Sequence, residues 1–258
     1  MRRFFILLCI LIIPNNCFAQ SMYTFDLEKD LIIGSVSLGL AASSLFVNRS
    51  GSIASKDDIP LTNSRVNAFD RHLMYEYNSS WDTATDIILY GLMAMPVLSM
   101  AGNLGSGTAW TTYGIMYAES ALLVFGACEL LKNSIVRYRP YCYFDDVPSG
   151  KNTDYYKSFP SRHTAFAFMS AGFVTSTFFA EYPDSPWKIP IAAFSYSLAA
   201  AVGAGRIFSG SHFLSDVLAG AVLGSVIGYL IPRMYLQKTP DNVTPVPLYN
   251  GFGFVWKF

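Results

Sequence analysis

The chain has 258 residues, of which 52% are apolar and only 14% are charged, whereas soluble domains carry about 25% charged residues. This deficit points toward a lipid bilayer or an unusually apolar core, and the length fits one large domain. Because the net charge is zero, the composition argues against a nucleic-acid partner and against a general anionic surface as partner.

Residues 1–19 are typical of a secretory signal peptide. Arg2 and Arg3 precede a short apolar run, Phe4–Ile13, and Ala19 supplies a small residue at the expected cleavage position. An uncleaved anchor is the alternative. Cleavage would make this an exported protein of the bacterial cell envelope.

Several apolar runs follow, each close to or slightly below the roughly 20 residues that cross a bilayer as a helix. They are Leu31–Val47, Ala84–Met100, Thr111–Leu131, His163–Phe179, Trp187–Ala204 and Phe213–Met234. We therefore predict an all-α fold, a membrane-embedded bundle of about six apolar helices. The predicted parts are an N-terminal helix with a polar connector (20–83), a helical core (84–236) and a C-terminal tail (237–258).

The last run carries Gly220, Gly224 and Gly228, which a spacing of four places on one helix face. Such a face allows another backbone to approach closely, although glycines can also occur by chance in an apolar helix. The same row continues back through Asp216 and His212. This polar pair is therefore expected to point into the bundle rather than toward lipid.

In the tail, Asn250-Gly251 between alternating apolar residues is a hairpin signal. The tail aromatics would alternatively lie at a membrane surface.

A first basic segment holds Lys132 and Arg139, seven residues apart and followed by Pro140. The two cations share a helix face if the helix persists, and the proline predicts that it ends at Arg139. Two cations at a helix end suit a dianionic group. The alternative is a basic cluster that anchors the helix at the membrane.

A second segment, Ser158-Phe-Pro-Ser-Arg-His163, stands directly before an apolar run. The free N–H groups at a helix start favour anions. Ser161 adds a hydroxyl, Arg162 a cation and His163 a titratable group. The alternatives are that Ser161 is a simple N-cap and His163 a structural histidine.

A third segment holds Arg206, His212 and Asp216, the last two at i, i+4. A carboxylate bonded to one imidazole nitrogen fixes the tautomer and leaves the other nitrogen free to attack. The alternative is an ordinary surface ion pair, worth only about 0.3–0.5 kcal/mol.

The three spacings together are Lys-x6-Arg-Pro, Pro-Ser-x-His and Arg-x5-His-x3-Asp. This combination resembles the type 2 phosphatidic acid phosphatase superfamily, which includes bacterial class A acid phosphatases and vanadium haloperoxidases. The resemblance implies that His212 is the nucleophile, Asp216 its orienting carboxylate and His163 the general acid. It implies phosphate binding by Lys132, Arg139, Ser161, Arg206 and the backbone amides near Arg162.

Two positions depart from the family pattern. Arg162 stands where the family usually has glycine, and Gly205 stands where it usually has serine. Neither replaces a residue to which the resemblance assigns catalysis.

We therefore expect a phosphatase that hydrolyses a lipid-linked phosphate monoester or pyrophosphate through a phosphohistidine. Fixed cations can do what a metal does elsewhere, and no Cys/His or carboxylate cluster suggests a metal site, so no cofactor is expected. The alternatives are a soluble periplasmic acid phosphatase, and an inactive membrane scaffold or transport component that retains the fold. The expected partners are a phosphorylated lipid and the bilayer; the sequence leaves the oligomeric state open.

The side of the membrane depends on Leu31–Val47. If this short, serine-bearing run does not cross, the polar stretch Lys132–Ser161 faces the periplasm. The family resemblance implies the same side, so we predict a periplasmic active site.

Overall fold

A computed structural model of the protein describes residues 22–24, 26–46, 66–101, 107–144, 155–237, 243–248 and 251–256. Each predicted apolar run coincides with a helix, so the all-α fold class is confirmed. The helices are α1 (Leu27–Phe46), α2 (Ala68–Arg71), α3 (Ser79–Ala101), α4 (Gly107–Ser134), α5 (Arg162–Glu181), α6 (Lys188–Phe208) and α7 (Leu214–Met234). The four-residue α2 and a 3-10 helix, Pro140–Tyr143, were not predicted. The predicted signal peptide lies outside the described residues.

Helix α5 forms the centre of the bundle and packs against α7, α6, α3 and α4. Most of its side chains are buried, and many of them are small. Helix α1 lies against α4, where a Cβ added at Gly126 would stand 2.9 Å from the Ser37 carbonyl oxygen. The fold thus places the N-terminal turn of α5, which carries His163, amid the other core helices.

The glycine row of α7 is the surface that packs on α5. A Cβ at Gly224 would lie 2.0 Å from the Ala165 carbonyl oxygen, and one at Gly228 would lie 2.1 Å from that of Met169. No larger residue fits without moving a backbone, so the predicted close-packing face is confirmed. Asp216 and His212, which continue the row, are almost wholly buried, as predicted.

Three helices have the length and composition needed to cross a membrane: Trp110–Ser134, Lys188–Phe208 and Leu214–Met234. Within the described part of the chain, α1 is not one of them. Many large apolar side chains on the helices are exposed, with Ile87 67% exposed and Ile189 71% exposed. So many exposed large apolar side chains suit contact with lipid rather than with water.

Helix α4 ends at Ser134, so the prediction that it continues to Arg139 was wrong. The β-branched residues that follow, Ile135 and Val136, favour extended backbone. The extended chain pairs with residues 155–158, with the N–H of Arg139 donating to the Tyr155 carbonyl at 2.8 Å. Lys132 and Arg139 therefore belong to different elements and do not share a helix face.

The tail forms an antiparallel hairpin of β1 (Val243–Leu248) and β2 (Gly251–Trp256), which confirms the hairpin prediction. Gly251, which the prediction assigned to the turn, lies in β2. Leu248 pairs with Gly251, so Gly251 already belongs to the ladder of β2.

Candidate active site

Six of the eight predicted site residues line one cavity of about 220 Å³; Ser161 and Asp216 do not. Both predicted catalytic histidines, His163 and His212, line it. We call its five basic residues the cation cluster: Lys132, Arg139, Lys157, Arg162 and Arg206. Three acids complete the charged lining: Asp82, Asp86 and Glu129. Ligand pockets for drug-sized molecules are about 300–1,000 Å³, so this volume suits a phosphate-sized group rather than a whole lipid.

The loop before α7 presents His212 to the cavity. The loop turns at Gly210, whose positive φ of 67° is a conformation that glycine adopts without strain. Nε2 of His212 lies 3.1 Å from Nη1 of Arg139. Because a guanidinium only donates hydrogen bonds, Nε2 must be the accepting nitrogen, and the neutral ring carries its proton on Nδ1. The Nε2 lone pair therefore faces the cation cluster.

Electrostatics keep this ring neutral. Burial first, and then the charges of Arg139, Lys132 and Arg206, hold the pKa of His212 well below its ordinary value. At neutral pH the side chain is an unprotonated imidazole, which is the form able to act as a nucleophile.

Asp216 lies beside His212 but not in the predicted arrangement. His212 precedes α7, which begins at Leu214, so the two residues do not form an i, i+4 pair within one helix. Their Nδ1–Oδ2 distance of 3.7 Å is too long for a hydrogen bond. Oδ2 of Asp216 instead accepts from the Ser158 hydroxyl at 2.6 Å and from the Phe213 N–H at 2.9 Å.

Behind this pair, Arg137 joins two buried carboxylates. Its Nη1 lies 2.5 Å from Oδ1 of Asp216, and its Nη2 lies 2.5 Å from Oδ2 of Asp70. Asp70 also accepts from the backbone N–H of Ser215 at 2.9 Å and from the Asn67 amide at 2.8 Å. We call Asp70, Arg137 and Asp216 the support network, because it fixes the first turn of α7 next to His212.

The hydrogen bonds determine the charge state of Asp70. Burial raises the pKa of this carboxyl, but the hydrogen bonds from Ser215, Asn67 and Arg137 together outweigh burial and leave the pKa below its ordinary value. Asp70 is therefore a carboxylate at neutral pH.

His163 stands in the first turn of α5, with Nε2 3.0 Å from Oδ1 of Asp86. Burial is the main cause that lowers the pKa of His163 to about 3, and Arg206, Arg162 and Arg139 act in the same direction while Asp82 opposes them. With no anion bound, the ring is neutral at pH 7. A dianionic phosphate would offset the cations and favour the protonated ring that a general acid requires.

Ser161 is used as the N-cap of α5. Its hydroxyl oxygen accepts from the Thr164 N–H at 3.4 Å and from the Thr164 hydroxyl at 2.9 Å. The side chain is wholly buried and is not among those that line the cavity. The structure thus shows the capping alternative, and a role of Ser161 as a phosphate ligand stays a prediction.

The structure shows which side chains surround Gly205 and Arg162, the two residues that depart from the family pattern. A Cβ at Gly205 would lie 2.3 Å from Cγ2 of Thr85, so the methyl group of α3 occupies the space that a serine would need. Thr85 also accepts from Arg206 at 3.3 Å, while Asp82 forms an ion pair with the same guanidinium. Arg162 forms an ion pair with Glu129 at 2.5 Å and lines the cavity.

Sequence reasoning missed Arg137 and the acids Asp70, Asp82 and Asp86. Asp82 and Asp86 stand four residues apart at the start of a helix, a spacing that predicts one shared face and was a usable signal. Asp70 carries no comparable local signal. The predicted boundary between residues 83 and 84 falls inside α3, so both predicted parts contribute to the site.

The sequence model of the PAP2 superfamily matches residues 111–240, just over half of the chain. The chain belongs to the PAP2 superfamily. The family resemblance predicted from the three motifs is thereby confirmed, and the matched residues include all three motifs. Asp70, Asp82 and Asp86 lie before the matched region.

Three curated proteins illustrate the range of relatives. A lipid A 1-phosphatase of Porphyromonas gingivalis is 31% identical over 62% of this chain and 33% of its own length. A probable diacylglycerol pyrophosphate phosphatase of Schizosaccharomyces pombe is 28% identical over 46% of this chain and 51% of its own. The bacitracin transport permease protein BcrC of Bacillus licheniformis is 33% identical over 43% of this chain and 50% of its own. The chain thus spans a third to about half of the relatives that it matches.

A crystal structure of a transmembrane PAP2-type phosphatidylglycerolphosphate phosphatase from Bacillus subtilis is also similar. It is 20% identical, with a TM-score of 0.36 over 90% of this chain and 92% of that chain.

Proposed function

We propose that this protein is a phosphatase of the cell envelope that hydrolyses a lipid-linked phosphate monoester or pyrophosphate through a phosphohistidine on His212. The observation that carries the proposal is the geometry of His212. Its accepting Nε2 faces the cation cluster, on a cavity that it shares with His163. Membership in the PAP2 superfamily and the two relatives named as lipid phosphatases support the same reaction.

The cation cluster binds the phosphoryl oxygens and neutralises the charge that they carry in the transition state. Nε2 of His212 attacks phosphorus while the bond to the leaving oxygen breaks, and His163 gives that oxygen its proton. Water then attacks the phosphohistidine, and His163 takes the proton of that water. The P–N bond breaks, inorganic phosphate leaves, and both histidines return to their starting forms.

Loss of the nucleophile tests this mechanism. Phosphate release is measured with phosphatidic acid in mixed detergent micelles and with p-nitrophenyl phosphate. We expect His212→Ala to lower kcat by about 10³-fold or more, because the covalent route is lost. His72→Ala is the matched control, since His72 is an exposed histidine outside the cavity.

A covalent intermediate would also be visible directly. Radiolabelled substrate should transfer label to the wild-type chain, and the bond should be labile in acid and stable in base, as expected of phosphohistidine. Equal labelling of the wild type and His212→Ala would refute His212 as nucleophile.

A transport or scaffold role is the second candidate, because one relative carries the name of a transport permease. This role predicts no turnover by the purified wild type, although the protein would still bind phosphorylated lipid. A soluble acid phosphatase would be released by salt without detergent. The apolar exterior of the bundle favours retention in the membrane instead.

We place the cavity on the periplasmic side. Ser80, at the start of α3, lies at the cavity end of the bundle, and Asp184, after α5, lies at the other end; both are exposed. In cells with a permeabilised outer membrane, an impermeant maleimide should label Ser80→Cys but not Asp184→Cys. The reverse pattern would place the cavity in the cytoplasm.

A further inference from the structure

Asp86 has no role in the proposed mechanism, yet it makes the direct contact with the general acid. Its Oδ1 lies 3.0 Å from Nε2 of His163, and its side chain is 42% exposed. It projects from the first two turns of α3, which lie before the part of the chain that the family model matches. The contact therefore joins a residue outside the family motifs to a residue inside one.

The charges around His163 make such a partner necessary. On its own helix the neighbouring charge is Arg162; from α6 it is Arg206, and from the segment after α4 it is Arg139. All three disfavour an imidazolium. Asp82 of α3 opposes them but is already paired with Arg206, whereas Asp86 of the same helix contacts the ring itself. This leaves Asp86 as the carboxylate in contact with the ring.

We propose that Asp86 is the positioning residue of the general acid, holding Nε2 of His163 and stabilising the imidazolium so that Nδ1 gives its proton to the leaving-group oxygen. This inference rests on the proposed phosphatase function. The arrangement repeats a principle known from hydrolases, in which a carboxylate fixes one imidazole nitrogen while the other nitrogen exchanges a proton with the substrate.

The protons balance over the cycle. In the first step, the Nδ1 proton moves to the leaving oxygen as the P–O bond breaks and the P–N bond to His212 forms. In the second step, a proton of the attacking water moves to Nδ1 as the P–N bond breaks. Asp86 remains a carboxylate throughout, and Nε2 keeps its proton.

The leaving group distinguishes this role from a purely structural one. An alkyl phosphate needs protonation of its leaving oxygen, whereas p-nitrophenolate leaves readily without it. General acid catalysis is worth about 10²–10⁴-fold in rate. We expect Asp86→Asn to lower kcat/KM for phosphatidic acid about 10- to 100-fold, with a much smaller loss for p-nitrophenyl phosphate.

The pH profile supplies a second readout. Removing a negative charge beside an imidazolium lowers the pKa of the ring, and charge neighbours commonly shift a pKa by about 1–3 units. The alkaline limit of kcat for phosphatidic acid should therefore move to lower pH by about one unit or more in Asp86→Asn. Asp86→Glu, which keeps the charge, should restore part of this limit.

Two comparison variants complete the design. Asp82→Asn should reduce the activity toward both esters, because Asp82 contacts Arg206 of the cation cluster. The charge of Asp82 also acts on His163 without contacting it, so the alkaline limit should move less than in Asp86→Asn. Asp184→Asn removes an exposed acid far from the cavity and should change neither activity. Thermal unfolding in detergent verifies that each variant is folded.

If Asp86→Asn reduces both activities equally with an unmoved alkaline limit, Asp86 acts on phosphate binding and the inference is wrong. If neither activity changes, the contact is an ordinary rim ion pair and the inference is equally wrong. A wild type that hydrolyses neither ester would instead overturn the proposed function itself.

Discussion

The segment from residue 132 to residue 216 and the segment from residue 66 to residue 86 make opposite contributions to the site. The first supplies both histidines and all five residues of the cation cluster. The second supplies Asp70 and Asp82, each in an ion pair with an arginine of the first, and Asp86, which contacts His163 of the first. Cations gathered in a partly buried cavity repel one another, and nearby carboxylates compensate them. The family motifs thus mark the groups proposed to bind phosphate, and the preceding segment supplies much of the charge that balances them.

The strongest test of this comparison uses two separate variants, each of which removes one charge of the ion pair between Arg206 and Asp82. Arg206→Ala should lower kcat/KM about 10²–10³-fold, since a fixed donor to the transferring phosphoryl group is lost. Asp82→Asn, on the other side, should cost less, because the guanidinium remains in place. Arg233→Ala is the control, an exposed arginine at the far end of α7. Equal losses from Arg206→Ala and Asp82→Asn would contradict the division of roles.

A smaller effect, on stability rather than on activity, is expected when the support network loses a charge. Asp70→Asn leaves Arg137 with one carboxylate, and a hydrogen bond to a charged group is worth about 1.5–3 kcal/mol. We expect the free energy of unfolding in detergent to fall by roughly this amount at pH 7. The control is Asp26→Asn, which removes an exposed pair with Lys29 and should leave stability nearly unchanged.

The difference in unfolding free energy between the wild type and Asp70→Asn should depend on pH in a definite direction. The folded-state pKa of Asp70 is depressed, so its contribution is present above the ordinary aspartate pKa and is lost as pH falls through the folded-state value. The stability gap between the wild type and Asp70→Asn should therefore close in acid. A gap that widens as pH falls would show that hydrogen bonding by the neutral carboxyl matters instead.

The smallest expected effect is a loss of stability at the direct contact between Gly205 and Thr85, which joins the two segments. Gly205→Ser places a Cβ against Cγ2 of Thr85, and overpacking of this kind costs about 1–3 kcal/mol. Thr85→Ser removes that methyl group, so the double variant should recover most of the stability lost by Gly205→Ser. Thermal unfolding of the four proteins forms a double-mutant cycle, and strictly additive losses would argue against the contact.

Local patterns in the sequence predicted the fold well. Apolar run length predicted the positions of the long helices, and a four-residue glycine spacing predicted that one face of α7 packs closely on another backbone. The end of α4 was predicted five residues too late, because the pairing of Arg137 and Arg139 with residues 155–158 is a long-range backbone interaction. No local sequence pattern predicts such pairing.

The candidate site was predicted unevenly for the same reason. The proposed proton donor and nucleophile, His163 and His212, stand in dense local motifs. Asp70 contacts Arg137 across 67 positions of sequence, and Arg206 contacts Asp82 across 124. Asp70 and Asp82 are ordinary acids in polar or helical segments of the sequence. Their roles are therefore recognised only in the folded chain.

The position of His212 two residues before the start of α7 sets the depth at which chemistry would take place. A helix of 21 residues is about 30 Å long, the thickness of the hydrocarbon layer. A reacting phosphorus beside His212 would then sit level with the lipid headgroups. A phosphorylated lipid would reach the cavity by lateral diffusion, with its acyl chains still among their neighbours and its charged group never leaving the aqueous boundary.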